Sequence, residues 1–169
     1  MTAGLLLYDL LYLLVSFTFY GGAARASMEI AARLPPGPWV WPLAVLAFLL
    51  ALIALAAVSS AALPRLVPGT YALMRGRVFH GWLFRSMVRR VLFFGPLKTA
   101  LFSVNALRFL ALRALGARVA FTANVSSDVD LLDPALLEIG PGATLGARCL
   151  ISGHYVVDGQ GDADALGLG

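Results

Sequence analysis

The chain has 169 residues, of which 60% are hydrophobic and 13% are charged, and its 13 Lys and Arg against 9 Asp and Glu give a formal charge of +4. A soluble globular domain carries about a quarter charged residues, so this composition excludes an ordinary soluble domain and indicates a membrane protein or part of one. The length allows one domain plus an anchor, and the single cysteine, Cys149, excludes an internal disulfide.

Residues 1–63 contain two apolar stretches that predict transmembrane helices. The first, Ala3–Tyr20, is interrupted only by Asp9 and is just long enough to cross a bilayer core of about 30 Å. A cleaved signal peptide is the alternative, but the start of the chain lacks a basic residue. Asp9 is either a functional acid inside the span or a carboxylate that reaches the interface. After a Pro-rich connection over Gly21–Pro38, the second stretch, Pro42–Leu63, is uncharged and predicts a second span.

Residues 64–118 form a basic segment, with ten Lys or Arg and no acid between Arg65 and Arg118. Positive charge collects on cytoplasmic flanks, so both termini are predicted to lie in the cytoplasm of a multi-pass inner-membrane protein. Tyr71–Phe94 predicts an amphipathic helix, and Leu97–Leu115 a second helix that is interfacial, buried or inserted. The first helix suits a lipid bilayer with anionic head groups, and nucleic-acid binding is disfavoured because its other face is aliphatic. The predicted membrane-surface residues are Arg75, Arg85, Arg89 and Arg90.

A six-residue period begins beyond the basic segment and defines residues 119–158. Aliphatic residues recur at Ile139, Leu145, Ile151 and Val157, and more faintly at Val119, Val125 and Leu131. Asp133-Pro134 shifts the frame by about two residues between the two runs. Such a period predicts a parallel β-helix, in which each hexapeptide forms one side of a coil. An ordinary short β-meander with Gly-rich turns is the alternative.

The order of parts resembles the bacterial hexapeptide-repeat acyltransferases, which are left-handed β-helix proteins. The similarity runs from Arg65-Leu66-Val67-Pro68-Gly69-Thr70-Tyr71 through Leu115-Gly116-Ala117-Arg118-Val119 into the hexads. It is greatest to the membrane-embedded terminal domains of some nonribosomal peptide synthetases of the polylysine-synthetase type. The resemblance implies acyl or aminoacyl transfer from acyl-CoA or a carrier-protein thioester, no permanently bound cofactor, and active sites between the subunits of a homotrimer.

Two histidines are present, and the resemblance assigns the role of general base to one of them. In such transferases a histidine withdraws a proton from the attacking hydroxyl or amine, and imidazole suits this because it titrates near neutral pH. His154 lies within the hexapeptide register and is the candidate base, with Asp158 as its possible orienting partner. His80 lies in the basic helix and is predicted to be interfacial. The sequence has no phosphate-binding loop and no cluster with metal-ligand spacing.

The expected architecture is therefore a membrane α plus β-helix protein. Two transmembrane helices (1–63) precede basic interfacial helices (64–118), about two coils of β-helix (119–158) and a disordered tail (159–169). The tail replaces the further coils that would complete a donor site, so a fragment or an inactive chain is expected. The expected function is membrane-anchored acyl transfer, and the alternative is a non-catalytic anchoring module of a synthetase-like system.

Overall fold

The computed structural model describes residues 2–73, 75–157 and 165–168 of the chain. Helix α1 (Thr2–Ala31) and helix α2 (Val40–Ala62) pack against each other as a hairpin around the Pro-rich connection. The predicted connection at Gly21 is wrong, because α1 continues to Ala31. Small residues explain the continuation: Gly22 lies against Leu55 of α2, and Ser27 donates a hydrogen bond to the carbonyl of Ala44 at 2.7 Å.

Helices α1 and α2 are both long enough and apolar enough to cross a membrane. At about 1.5 Å per residue, the 23 residues of α2 extend further than a bilayer core of about 30 Å. Large apolar side chains cover the outside of the hairpin. The most exposed on the two helices are Leu6, Leu7, Phe17, Met28, Trp41 and Val58.

The basic segment folds differently from the prediction at two points. Instead of one helix from Tyr71 to Phe94, a strand β1 (Gly69–Ala72) precedes helix α3 (Gly76–Leu92). The predicted Leu97–Leu115 helix is two helices, α4 (Gly95–Ser103) and α5 (Asn105–Ala114), joined at Val104 in extended conformation. Gly116 follows the C-cap residue Leu115 of α5 at φ 94°, a conformation that favours glycine, and a Cβ added there would lie 3.2 Å from the Cβ of Ala135.

Beyond α5 the described chain stacks two-residue strands on one another in three parallel pairs. The pairs are β2 (Arg118–Val119) with β5 (Glu138–Ile139), β3 (Asn124–Val125) with β6 (Thr144–Leu145), and β4 (Asp130–Leu131) with β7 (Leu150–Ile151). Every strand ends on an aliphatic residue of the six-residue period. The pairs are 20 residues apart in sequence, as Arg118 and Glu138 are. A turn of 3₁₀ helix (Pro134–Leu136) at the predicted break accommodates the two residues beyond three hexads.

Strands β2, β3 and β4 form the first turn of the stack and β5, β6 and β7 the second. The first turn covers a continuous apolar core. Val125, Val129 and Leu131 are almost fully buried, and they belong to the same cluster as Leu112 of α5, Leu92 of α3 and Leu52 of α2. Leu145 and Ile151 of the second turn are only partly buried against it. The helices therefore pack on the side of the first turn, and the core thins towards the second.

The chain returns to the basic segment after Ile151. Strand β8 (His154–Val157) pairs antiparallel with β9 (Ala165–Leu168), which pairs antiparallel with β1. Val157 belongs to this antiparallel sheet, so the prediction that it continues the hexapeptide period is wrong. Of the predicted disordered tail, residues 165–168 form β9, and the others lie outside the described part of the chain. Leu166 and Leu168 are buried with Phe79 of α3, and this burial holds the strand in place.

Candidate active site

The break in the hexapeptide period places a carboxylate inside the molecule. Asp133 precedes the 3₁₀ turn, and its side chain is 1% exposed. It does not cap that turn, because its oxygens bind groups from two other elements. A buried carboxylate is costly unless its oxygens accept hydrogen bonds, and here donors reach both oxygens.

Three donors converge on Asp133. Oδ1 accepts the indole N–H of Trp82 from α3 at 2.7 Å, and Oδ2 accepts the backbone N–H of Gly153 at 2.9 Å. Nδ1 of His154 lies 2.6 Å from Oδ2. An ionised carboxylate is acceptor-only and a backbone N–H is donor-only, so this arrangement suits the charged form of Asp133. We call Trp82, Asp133 and His154 the dyad site, after its Asp–His pair.

His154 is held in one orientation by this contact. Its side chain is 25% exposed, and its ring meets that of Trp82 edge-on, with centroids 5.0 Å apart. Because Asp133 accepts at Nδ1, the neutral ring carries its hydrogen there, and the lone pair lies on Nε2, on the far side of the ring. A base oriented by a carboxylate in this manner can accept a proton at Nε2.

Ser152 completes the surroundings of the histidine. Its hydroxyl donates to the carbonyl of His154 at 2.9 Å and lies 3.3 Å from Nδ1. The hydroxyl is exposed, and it contacts the nitrogen that Asp133 already occupies rather than Nε2. Ser152 therefore fixes the turn that carries His154 and is not placed as a nucleophile activated by it.

The site differs from the one predicted in its acidic partner. Asp158, the predicted orienting residue, lies outside the described residues. The carboxylate that contacts His154 in the structure is that of Asp133, and neither Asp133 nor Trp82 was predicted as a site residue. The signal in the sequence was the interruption of the period at Asp133-Pro134, which was interpreted only as a frame shift.

The four arginines predicted for the membrane surface lie in two environments. Arg75 and Arg90 are exposed, whereas Arg85 and Arg89 are half-buried behind the dyad site. With Trp82 and Asp133 they line a cavity of about 10 Å³, enough for about one water. Burial lowers the pKa of Arg85.

For Arg89, burial and then the neighbouring Arg90 lower the pKa, while the charge of Asp133 acts in the opposite direction. The Nε–H groups of Arg85 and Arg89 are buried and have no hydrogen-bond acceptor among the described residues. Positive charge therefore lies close to the carboxylate of Asp133, around the same small cavity.

The remaining candidates do not join this site. His80 is exposed on α3, and its Nδ1 lies 2.7 Å from the carbonyl of Gly76. Asp9 is exposed on α1. In the part of the chain that the structure describes, no group of three or more His, Cys, Asp or Glu is placed to hold a metal ion.

Comparison with known proteins identifies no family for the chain. No protein-family model, no curated protein and no solved structure matches the chain. The geometry of the dyad site and the arrangement of the helices therefore carry the functional argument.

Proposed function

We propose that the chain is a membrane-anchored acyl or aminoacyl transferase of the hexapeptide-repeat type. In this proposal the three parallel pairs are turns of a left-handed β-helix, and α1 and α2 cross the bacterial inner membrane with both termini in the cytoplasm. The observation that carries it is the 2.6 Å contact between Oδ2 of Asp133 and Nδ1 of His154, which leaves Nε2 outside that contact on a side chain that is 25% exposed. A homotrimer formed through the coils would surround this site.

The proposed chemistry is acyl transfer from a thioester. The oxygen or nitrogen of the acceptor attacks the thioester carbonyl as its proton passes to Nε2 of His154. A C–O or C–N bond forms, the C–S bond breaks, and the proton is then delivered to the thiolate that leaves. Asp133 orients the ring and stabilises the imidazolium that forms between these steps, and such a base contributes about 10²–10⁴-fold to rate.

The first prediction tests this base directly. With the protein in detergent micelles, thiol release from acetyl- and longer acyl-CoA is measured in the presence of amine and alcohol acceptors. His154→Gln should lower the rate by about 10²–10⁴-fold, and Asp133→Asn should also lower it because the ring then loses its acceptor at Nδ1. The matched control is His80→Gln, the same substitution at the exposed histidine, which should leave the rate unchanged. An equal loss in both variants would exclude His154 as the base.

A non-catalytic anchoring module is the alternative, and one observation favours it. The hydrogen bond from Trp82 to Asp133 joins α3 to the stacked strands, and that from Gly153 joins the turn before β8 to the same carboxylate. These hydrogen bonds would therefore stabilise the packing of α3 on the strands even in a protein that catalyses no reaction. If wild-type protein releases thiol from none of the thioesters and His154→Gln only lowers thermal stability, the anchoring module is the better description.

A further inference from the structure

A second, larger cavity lies between the hairpin and the coil. Its volume is about 790 Å³, within the range of about 300–1,000 Å³ that is typical of ligand sites. Its walls are the last turns of α2, the end of α5 and the 3₁₀ turn after Asp133. It adjoins the small cavity of the dyad site, since Leu66, Arg85 and Ala135 line both.

The charged residues that line this cavity are all cationic. They are Arg65, Arg85, Arg113 and Arg118, and no carboxylate is among the lining residues. Two of the four are engaged: Arg85 donates to carbonyls at the end of α2, including that of Pro64 at 2.9 Å, and Arg118 lies 2.6 Å from Glu138. Arg65 and Arg113 are exposed at its rim, and neither forms an ion pair with a described residue.

The other lining residues are largely apolar. Ala57 and Ala61 of α2 and Leu137 before β5 are representative. A fitting ligand therefore has an anionic group for the arginines and an apolar portion for the wall. Guanidinium forks match the oxygens of a carboxylate or of a phosphate in paired hydrogen bonds, so either anionic group fits the arginines.

The position of the cavity indicates where such a ligand comes from. It opens at the C-terminal end of α2, a helix long enough to cross a membrane, and the end of a spanning helix lies at the depth of lipid phosphates. We propose that this cavity binds the phosphate of an anionic phospholipid, held by Arg65 and Arg113 at the mouth. This is a defined site for a bound lipid, distinct from general attraction of a basic helix to the bilayer, and it does not depend on acyl transfer.

The second prediction tests the site with matched charge changes. Arg65→Gln with Arg113→Gln removes two cavity charges, and the control, Arg77→Gln with Arg148→Gln, removes two exposed charges outside the cavity. Binding of phosphatidylglycerol, and of phosphatidylcholine for comparison, is measured in detergent by native mass spectrometry and by the rise in melting temperature. The cavity variant should bind phosphatidylglycerol about tenfold more weakly or worse, while the control keeps wild-type affinity.

The measurements distinguish a lipid site in the cavity from general electrostatic attraction, from charge-independent lipid binding and from binding of free phosphate. Equal weakening in the two double variants would show long-range electrostatic attraction and overturn the cavity. Equal binding of phosphatidylcholine and phosphatidylglycerol, or full competition by millimolar inorganic phosphate, would overturn the anionic lipid as ligand. Arg65→Lys with Arg113→Lys keeps the charge without the fork, so partial recovery of affinity in this variant supports the site even if the Gln variant is poorly folded.

Discussion

Asp133 is the residue on which the candidate active site depends. The six-residue period is interrupted at this point. A buried carboxylate that accepts hydrogen bonds lies where the period would place an aliphatic or a turn residue. Because both oxygens accept hydrogen bonds, the carboxylate is stabilised where an unpaired one would be expelled or neutralised. The buried carboxylate also orients His154, so the same group stabilises the local structure and supports the proposed chemistry.

The third prediction concerns Trp82, which donates the hydrogen bond to Oδ1 of Asp133. Trp82→Phe keeps an aromatic ring but leaves that oxygen without its donor, so the free energy of unfolding should fall by about 1–3 kcal/mol. Trp39→Phe, at a residue 75% exposed, is the control and should change it by no more than about 0.5 kcal/mol. Denaturant unfolding in detergent measures both.

A double variant shows whether the hydrogen bond itself is responsible for this loss. Trp82→Phe and Asp133→Asn both weaken the same interaction, so their combined effect should be smaller than the sum of the two single effects. Simple additivity would mean that Trp82→Phe acts only through the volume it removes, and the hydrogen bond would then contribute nothing measurable.

At the scale of elements, α5 supplies hydrogen-bond donors to the first turn of strands, as a preceding turn of strands would. Backbone N–H groups of the first turn donate to carbonyls of the second, as Asn124 does to Ala143 and Ser126 to Leu145. Backbone groups alternate sides along a strand, so the carbonyls of the residues that alternate with these donors, Ala123 and Val125, point away from the second turn. Arg108 of α5, 6% exposed, donates to the carbonyls of Ala123 at 2.8 Å and Val125 at 3.1 Å. A guanidinium thus caps the edge of β3.

The fourth prediction tests this cap by substitution of Arg108. Arg108→Leu leaves two buried carbonyls without a donor, so the free energy of unfolding should fall by about 2–3 kcal/mol. Arg113→Leu, at an exposed position one turn further along α5, should cost at most about 1 kcal/mol, including its contact with the ring of Phe109. Denaturant unfolding of the two variants in the same detergent compares them, and equal losses would show that Arg108 is not a cap.

Sequence alone predicted where the short parallel strands end, but missed the break between α4 and α5 and the distant contacts between elements. The six-residue period placed the aliphatic end of every short strand, because each inward side chain is specified by its own hexapeptide. Trp82 and Asp133 are 51 residues apart, and His154 and Asp133 are 21 apart, so no period connects them. Strand β9 was missed for the same reason, since its partner β1 lies in the basic segment.

At the scale of the whole molecule, the helical hairpin and the stacked parallel strands form one connected structure. Tyr20 of α1 donates to the carbonyl of Val91 in α3 at 2.8 Å, and the buried core is continuous from Phe19 to Ile139. The outer surface of the hairpin, in contrast, remains apolar over both helices. A bilayer around the hairpin would cover that surface and leave the basic helices and the coil at one membrane face.

The fifth prediction tests this orientation by cysteine labelling. In a Cys149→Ser background, Gly37→Cys in the connection and Gly146→Cys in the coil each introduce one thiol, and both glycines have open space where a Cβ would be added. An impermeant maleimide should label Gly37→Cys in intact cells and Gly146→Cys only after permeabilisation, because the positive-inside rule retains the basic segment in the cytoplasm. The opposite pattern would invert the topology, and labelling of both in intact cells would show that the coil lies outside the membrane barrier.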